Sequence, residues 1–221
     1  MKNVRVFFSK KGDARYLSHL DVMRCFTRAL NRTGLDIWYT QGFNTHIYLM
    51  FACPLSLGFE SEREAVDFRL EKDEEFDKDI TGLLNAGLPD GIRAYEYCEP
   101  EMKHTDIQYS EWRVEMETGS SEEAEAVRSK LNEFFALDSI PVMKKTKKGE
   151  KEEDALPFVK YAVSGTEGSV CLLRLLLTQN TDMALNPKLL LQAFSSFSGV
   201  DTDLARVTRT GVFDGVMRPF R

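Results

Sequence analysis

Long apolar runs are missing from this chain of 221 residues: the most hydrophobic stretch, Cys171 to Leu177, is only a few residues long and is broken by Arg174. A helix that crosses a bilayer needs about 20 consecutive apolar residues, which excludes a transmembrane segment and any membrane partner. Cysteine is scarce too. Cys25, Cys53, Cys98 and Cys171 lie 28, 45 and 73 residues apart with no CxxC or CxxxCxxC pair. That spacing argues against a disulfide framework, a zinc knuckle or an iron–sulfur loop and leaves four buried thiols. The motifs GxxxxGK, GxSxG, HExxH and GxGxxG are also absent. Nucleotide hydrolysis, serine esterase chemistry, zincin chemistry and dinucleotide binding therefore have no motif behind them, and no metal or cofactor is expected. The opening MKNVRVFFSKKGDARY carries two lysines directly after its apolar piece and has no small-residue cleavage site, unlike a secretory signal. The expected location is the cytoplasm.

What is present is an unevenly charged chain. Twenty-nine Lys and Arg face 35 Asp and Glu, a net charge of −6. Residues 1 to 32 hold eight basic residues against Asp13 and Asp21, so that segment is +6 and the remainder −12. Two further basic clusters occur, one in Lys144 to Lys151 and one at Arg206, Arg209, Arg218 and Arg221 beside Asp214. An acidic whole repels a polyanion, so any nucleic-acid contact is expected to be local and salt-sensitive.

Hydrophobic periodicity changes along the chain in an order that repeats. Val4 to Phe8 reads as a strand, Ser18 to Thr33 as a helix ended by Gly34, and DIWYT, IYLMFAC and AVDFRL as extended pieces. Phe76, Ile80, Leu83 and Leu84 recur at helical spacing before the strand-like IRAYEYC. In the second half a strand around Trp112 precedes a helix with Ala124, Val127, Leu131 and Phe134. Ser139 to Thr146, Phe158 to Val163 and VCLLRLLL read as strands. A helix then opens at Asn186 and Pro187, and Leu204 to Thr210 is a last strand. This predicts an α+β protein of two tandem ferredoxin-like subdomains, split β-α-β units with antiparallel sheets, over residues 1–100 and 107–221. A single α+β domain with one continuous sheet is the rival. Lys147 to Asp154, dense in charge and without an apolar anchor, is the expected flexible segment.

The chemically suggestive residues gather between Lys10 and His46. Ser18 with Asp21 three residues on has the form of a capping box, so the helix starts at Ser18. At 100° per residue, Asp21, Arg24, Arg28, Asn31 and Arg32 then share one face and Val22, Met23, Phe26, Ala29 and Leu30 the other. Arginines four residues apart repel, and a stripe of them invites phosphate; a solvated face with Asp21 pairing Arg24 is the plain alternative. Lys10, Lys11 and Arg15 approach the same helix, whose free N–H groups also favour an anion. Gln41 and Asn44 flank a turn at Gly42, and Phe7, Tyr16, Trp38, Tyr39 and Phe43 lie near enough in sequence to stack bases. The expected anion or nucleic-acid site is Lys10, Lys11, Arg15, Arg24, Arg28, Arg32, Gln41 and Asn44. His19 and His46 are the catalytic candidates, an acid–base pair around a phosphate, against plain roles as a half-buried histidine and a turn residue.

RYLSHLDVMRCFTRALNRTGLDIWYTQGFNTHIYLMFACPLSLGFESEREAVDFRL strongly resembles the bacterial radical SAM-linked protein family, a family of unknown function. The matching polar residues include Arg15, Ser18, His19, Asp21, Arg24, Arg28, Tyr39, Gln41, Asn44, His46 and Glu60; the match is dense over Val4 to Leu70 and continues in order along the chain. Thr45 and Ile47 stand where the family commonly has the prolines of GFNPHP, which makes this turn less rigid. The resemblance implies a protein fused to, or encoded beside, radical SAM proteins and often near ribosomal-protein and ribonuclease genes, a helper in RNA metabolism or substrate presentation. Without CxxxCxxC the chain does not itself hold a radical SAM cluster in the usual way. The expectation is a non-catalytic, cytoplasmic RNA-binding or substrate-presenting adaptor with a radical SAM protein as partner. The alternative is an RNA-cleaving or RNA-modifying enzyme that uses His19 and His46.

Overall fold

The computed structural model describes residues 1–146, 149–180 and 184–221. They form an α+β fold that divides into two compact units, Met1–Asp106 with Pro219–Arg221, and Ile107–Arg218, with antiparallel strand pairs in each. The final three residues, read in sequence with the second half, belong to the first unit. Glu101 and Met102 donate their N–H groups to the Arg221 carbonyl, and Phe220 lies over the Arg5 guanidinium.

In the first unit, β1 (Lys2–Lys10), α1 (His19–Arg32), β2 (Met50–Phe51), β3 (Glu60–Leu70), α2 (Ile80–Asn85) and β4 (Ile92–Cys98) follow in turn. The strands lie in the order β4-β1-β3-β2, each neighbouring pair antiparallel. Alternation along β1 and β3 selects one face for the core. Val4 stands opposite Phe68 and Val6 opposite Val66, and both pairs are buried under Val22, Phe26, Ala29 and Leu30 of α1 and Ile80 and Leu84 of α2. β2 is shorter than the apolar IYLMFAC suggests, and DIWYT makes only single bridges, Ile37 with Leu70 and Tyr39 with Ile47.

The second unit runs β5 (Ile107–Glu117), α3 (Ser121–Phe135), β6 (Pro141–Thr146), β7 (Gly149–Asp154), β8 (Val159–Glu167), β9 (Val170–Thr178), α4 (Pro187–Ser198) and β10 (Arg206–Asp214). Its strands lie in the order β10-β5-β9-β8, again with antiparallel neighbours. Asn186 caps α4 by accepting from the Lys188 N–H, and Phe194 meets Phe134 of α3 at 5.5 Å. β6 and β7 pair with each other as a separate hairpin. Gly149–Asp154, expected to be flexible, is thus a strand, and Lys147 and Lys148 lie outside the described residues. Among the described residues, no helix is long and apolar enough to cross a membrane.

Candidate functional site

α1 begins where its capping residues dictate. Ser18 Oγ accepts from the Asp21 N–H and donates to Asp21 Oδ2 at 2.6 Å, while the Ser18 N–H reaches the same carboxylate. The Ser18 hydroxyl is the main cause that holds the Asp21 carboxyl below its ordinary pKa, with the Ser18 N–H and Arg24 adding to it. Ser18→Ala removes the cap and is expected to destabilise the protein by about 0.5–2 kcal/mol, read as a lower urea midpoint with an unchanged slope.

The basic residues around this helix separate into engaged and unengaged groups. Lys10 departs from the expected anion site. It shares the inward-facing side of β1 with Phe8, is 2% exposed, and donates from Nζ to the carbonyls of Leu17 at 3.0 Å and Arg15 at 3.4 Å. A buried ammonium that anchors the Gly12–Tyr16 turn is not presented to a ligand. Lys11 faces Glu62 at 3.6 Å, Arg15 faces Glu60 at 4.0 Å and lies on the Tyr16 ring, and Arg24 pairs with Asp21 at 3.2 Å. Arg28 and Arg32, one turn apart and exposed, form no ion pair or hydrogen bond among the described residues. The stripe read from the sequence therefore narrows to its C-terminal half. The other basic clusters are largely engaged: Arg209 is buried near Trp112, Arg218 pairs with Asp214 at 2.7 Å, Arg221 with Glu101 at 3.1 Å, and Lys144 with Glu153 at 3.6 Å.

A loop reaches the same end of α1. Tyr39 Oη donates to Asn31 Oδ1 at 2.6 Å, so the segment after α1 is tied to the polar face that carries Arg28 and Arg32. Its base is held by Arg69, whose guanidinium lies 5.1 Å from the Trp38 ring and 4.6 Å from the Tyr48 ring. Its tip closes on itself. The Thr40 N–H donates to the His46 carbonyl at 2.9 Å, and the His46 N–H donates to Thr40 Oγ1 at 3.1 Å. His46 Nδ1 lies 2.9 Å from the Asn44 carbonyl, an acceptor only, so in the neutral ring Nδ1 carries the proton and Nε2 is left as an acceptor. Gly42, at φ +126°, takes a backbone conformation that a side chain disfavours. Phe43 next to it is fully exposed; Gln41 and Asn44 are exposed beside it.

The two histidine candidates occupy different settings. His19 is half-buried with its ring edge-on to Phe51 at 5.1 Å. It lines a cavity of about 10 Å³, room for one water, together with Phe8, Lys10, Val22, Leu55 and Glu64. His46 sits on the exposed loop, and no contact joins it to His19 among the described residues.

A further polar cluster has no counterpart in the sequence reading. Asp67 receives both Arg5 Nε and Nη2 at 2.7 Å and lies 2.9 Å from His104 Nε2. Arg5 Nη1 also donates to the Met102 carbonyl, and the Phe220 ring covers the guanidinium at 4.1 Å. Burial works to raise the Asp67 pKa, but hydrogen bonds from Arg5 and His104 outweigh it and hold the carboxyl below the ordinary range. The sequence carries only a charge inside each of two apolar strands, VRVFF and AVDFRL; the β1–β3 register sets Arg5 opposite Asp67 and makes the pair. Among the described residues, no three His, Cys, Asp or Glu side chains are grouped as metal ligands would be. The second unit contributes an apolar groove of about 530 Å³ between α3, β6 and α4, with Phe134, Leu137, Met143, Leu189 and Phe197 in its walls.

Comparison with known proteins gives a family and little more. Residues 3–187 match the family model described as an uncharacterized protein conserved in bacteria, DUF2344, a span that contains α1 and the Tyr39–His46 loop. No curated protein matches the chain. Among solved structures, a chain in the crystal structure of a Cbf5-Nop10-Gar1 complex is similar at 11% identity and a TM-score of 0.48, over 94% of this chain and 48% of that one. An unknown protein from Galdieria sulphuraria is similar at 13% identity and a TM-score of 0.24, over 94% and 98% of the two chains. The chain spans about half the length of the first of these, and neither likeness is close enough to speak for fold or activity.

Proposed function

We propose that this chain, which belongs to the DUF2344 family of uncharacterized bacterial proteins, is a cytoplasmic RNA-binding adaptor that presents its ligand to a partner enzyme. The observation that carries this reading is the surface where Arg28 and Arg32, which pair with no carboxylate among the described residues, share the helix face to which Tyr39 ties the loop that carries the exposed Phe43. Phosphates need unpaired guanidinium groups and bases need exposed ring faces; this surface has both, although the protein as a whole is acidic. A radical SAM protein is the proposed partner, on the strength of the resemblance over Val4 to Leu70. Strand orders β4-β1-β3-β2 and β10-β5-β9-β8 support reading each unit as ferredoxin-like, with β6 and β7 as an insertion in the second.

The enzyme alternative has less behind it. A histidine pair must flank one phosphate, whereas His19 packs on Phe51 beside a cavity with room for one water and His46 is pinned in its own turn.

Filter binding of the purified protein to total bacterial RNA at about 50 mM and about 200 mM salt tests the reading. Binding that weakens with salt, and that falls at least about ten-fold in Arg28→Ala, Arg32→Ala, is the expected result, since each charge-assisted contact contributes about 1.5–3 kcal/mol. No binding at the lower salt sinks the RNA reading and leaves an acidic protein surface as the ligand of the stripe.

A further inference from the structure

We infer that the surface formed by α1 and the Tyr39–His46 loop takes an unpaired strand, not a duplex, with a base stacked on Phe43 and adjacent phosphates on Arg28 and Arg32. This rests on the reading of the same surface as an RNA interface and names the form of RNA it accepts. Phe43 is fully exposed, and its position is imposed. The loop is closed below it by the Thr40 and His46 hydrogen bonds, and Gly42 at φ +126° sets the turn that holds the ring out from the protein. A duplex hides its base faces in the stack and offers an aromatic ring nothing to lie against; an unpaired strand offers a face at every nucleotide.

The cations are spaced for the same ligand. Arg28 and Arg32 are four residues apart on one helix face, about 6 Å along its axis, a separation that consecutive phosphates of an extended strand match. The hydrogen bond from Tyr39 to Asn31, between the two arginines in sequence, ties the stacking loop to the phosphate-facing helix, so one short strand can meet both. The carboxylates that flank the two arginines in sequence are engaged elsewhere: Asp21 holds Arg24, and Asp36 holds Lys72 at 2.6 Å. The shared chemistry is phosphodiester plus free base faces, which either RNA or DNA supplies.

Fluorescence anisotropy with a labelled RNA of about 12 nucleotides, the same RNA annealed to its complement, and the matching DNA strand separates the possibilities. The single strand is expected to bind at least about ten-fold more tightly than the duplex. Phe43→Ala should weaken single-strand binding at least about five-fold while leaving duplex binding and thermal melting unchanged. Equal affinity of the DNA strand supports stacking on unpaired bases and widens the ligand from RNA to any single strand. Duplex binding as tight as single-strand binding, with Phe43→Ala without effect on either, overturns this inference but leaves RNA binding standing. Failure of every polynucleotide to bind overturns both.

Discussion

Asp67→Ala is expected to destabilise the protein by about 3–5 kcal/mol, the cost of leaving a buried guanidinium without its counter-charge. The Arg5 side chain is 1% exposed and the Asp67 side chain 15%, so water cannot replace the lost carboxylate. Urea unfolding followed through Trp38 in a Trp112→Phe background reads the loss in the first unit. Replacing both partners together, as Arg5→Met, Asp67→Leu, should recover much of the stability, because the penalty of a buried unpaired charge goes with it. The pH dependence has a definite sign. The folded Asp67 pKa is depressed, so its contribution is complete above the ordinary carboxylate pKa of about 3.9 and is lost as pH falls through the lower folded value. The gap between wild type and Asp67→Asn should therefore be constant near neutrality and close in acid. A constant gap down to about pH 2 would contradict this account of the cluster.

Phe26→Ala should cost about as much, some 3–5 kcal/mol, for a different reason. Phe26 is fully buried, with its ring 4.7 Å from Phe8 and 5.7 Å from Phe51, and it holds α1 on the sheet. Removal of the ring leaves a cavity in a packed aromatic cluster that the neighbouring strands cannot close. Phe26→Leu, which keeps most of the volume, should cost markedly less. Equal losses for the two variants in urea titrations would show that the site is not tightly packed.

The legibility of this molecule in its sequence follows from how local each cause is. The start of α1 depends on two side chains three residues apart, and the arginine face on a fixed angular step, so both could be read directly. That Lys11 and Arg15 are engaged depends on where Glu62 and Glu60 arrive from β3, and no local pattern records that. Lys10 reads as one more surface cation in KKGDAR, but it is the last residue of β1 and lies on the inward side with Phe8, whereas Lys11 begins the exposed turn beyond the strand. The Arg5, Asp67, His104 and Phe220 cluster joins four distant parts of the chain, and nothing short of the β1 and β3 register brings them together. Gly149–Asp154 differs in the opposite direction. Its charges suit a solvated loop, but β6 gives its backbone a partner strand, and Lys144 offsets Glu153 across the hairpin.

The central claim, that Arg28 and Arg32 meet phosphates, is tested most directly by the salt dependence of RNA binding in wild type and in Arg28→Ala, Arg32→Ala. Each phosphate contact on a single strand adds about 0.7 to the slope of log K against log salt, so the variant's slope should be shallower by about 1.4. An unchanged slope, even with weakened binding, would place the phosphates elsewhere and contradict the account.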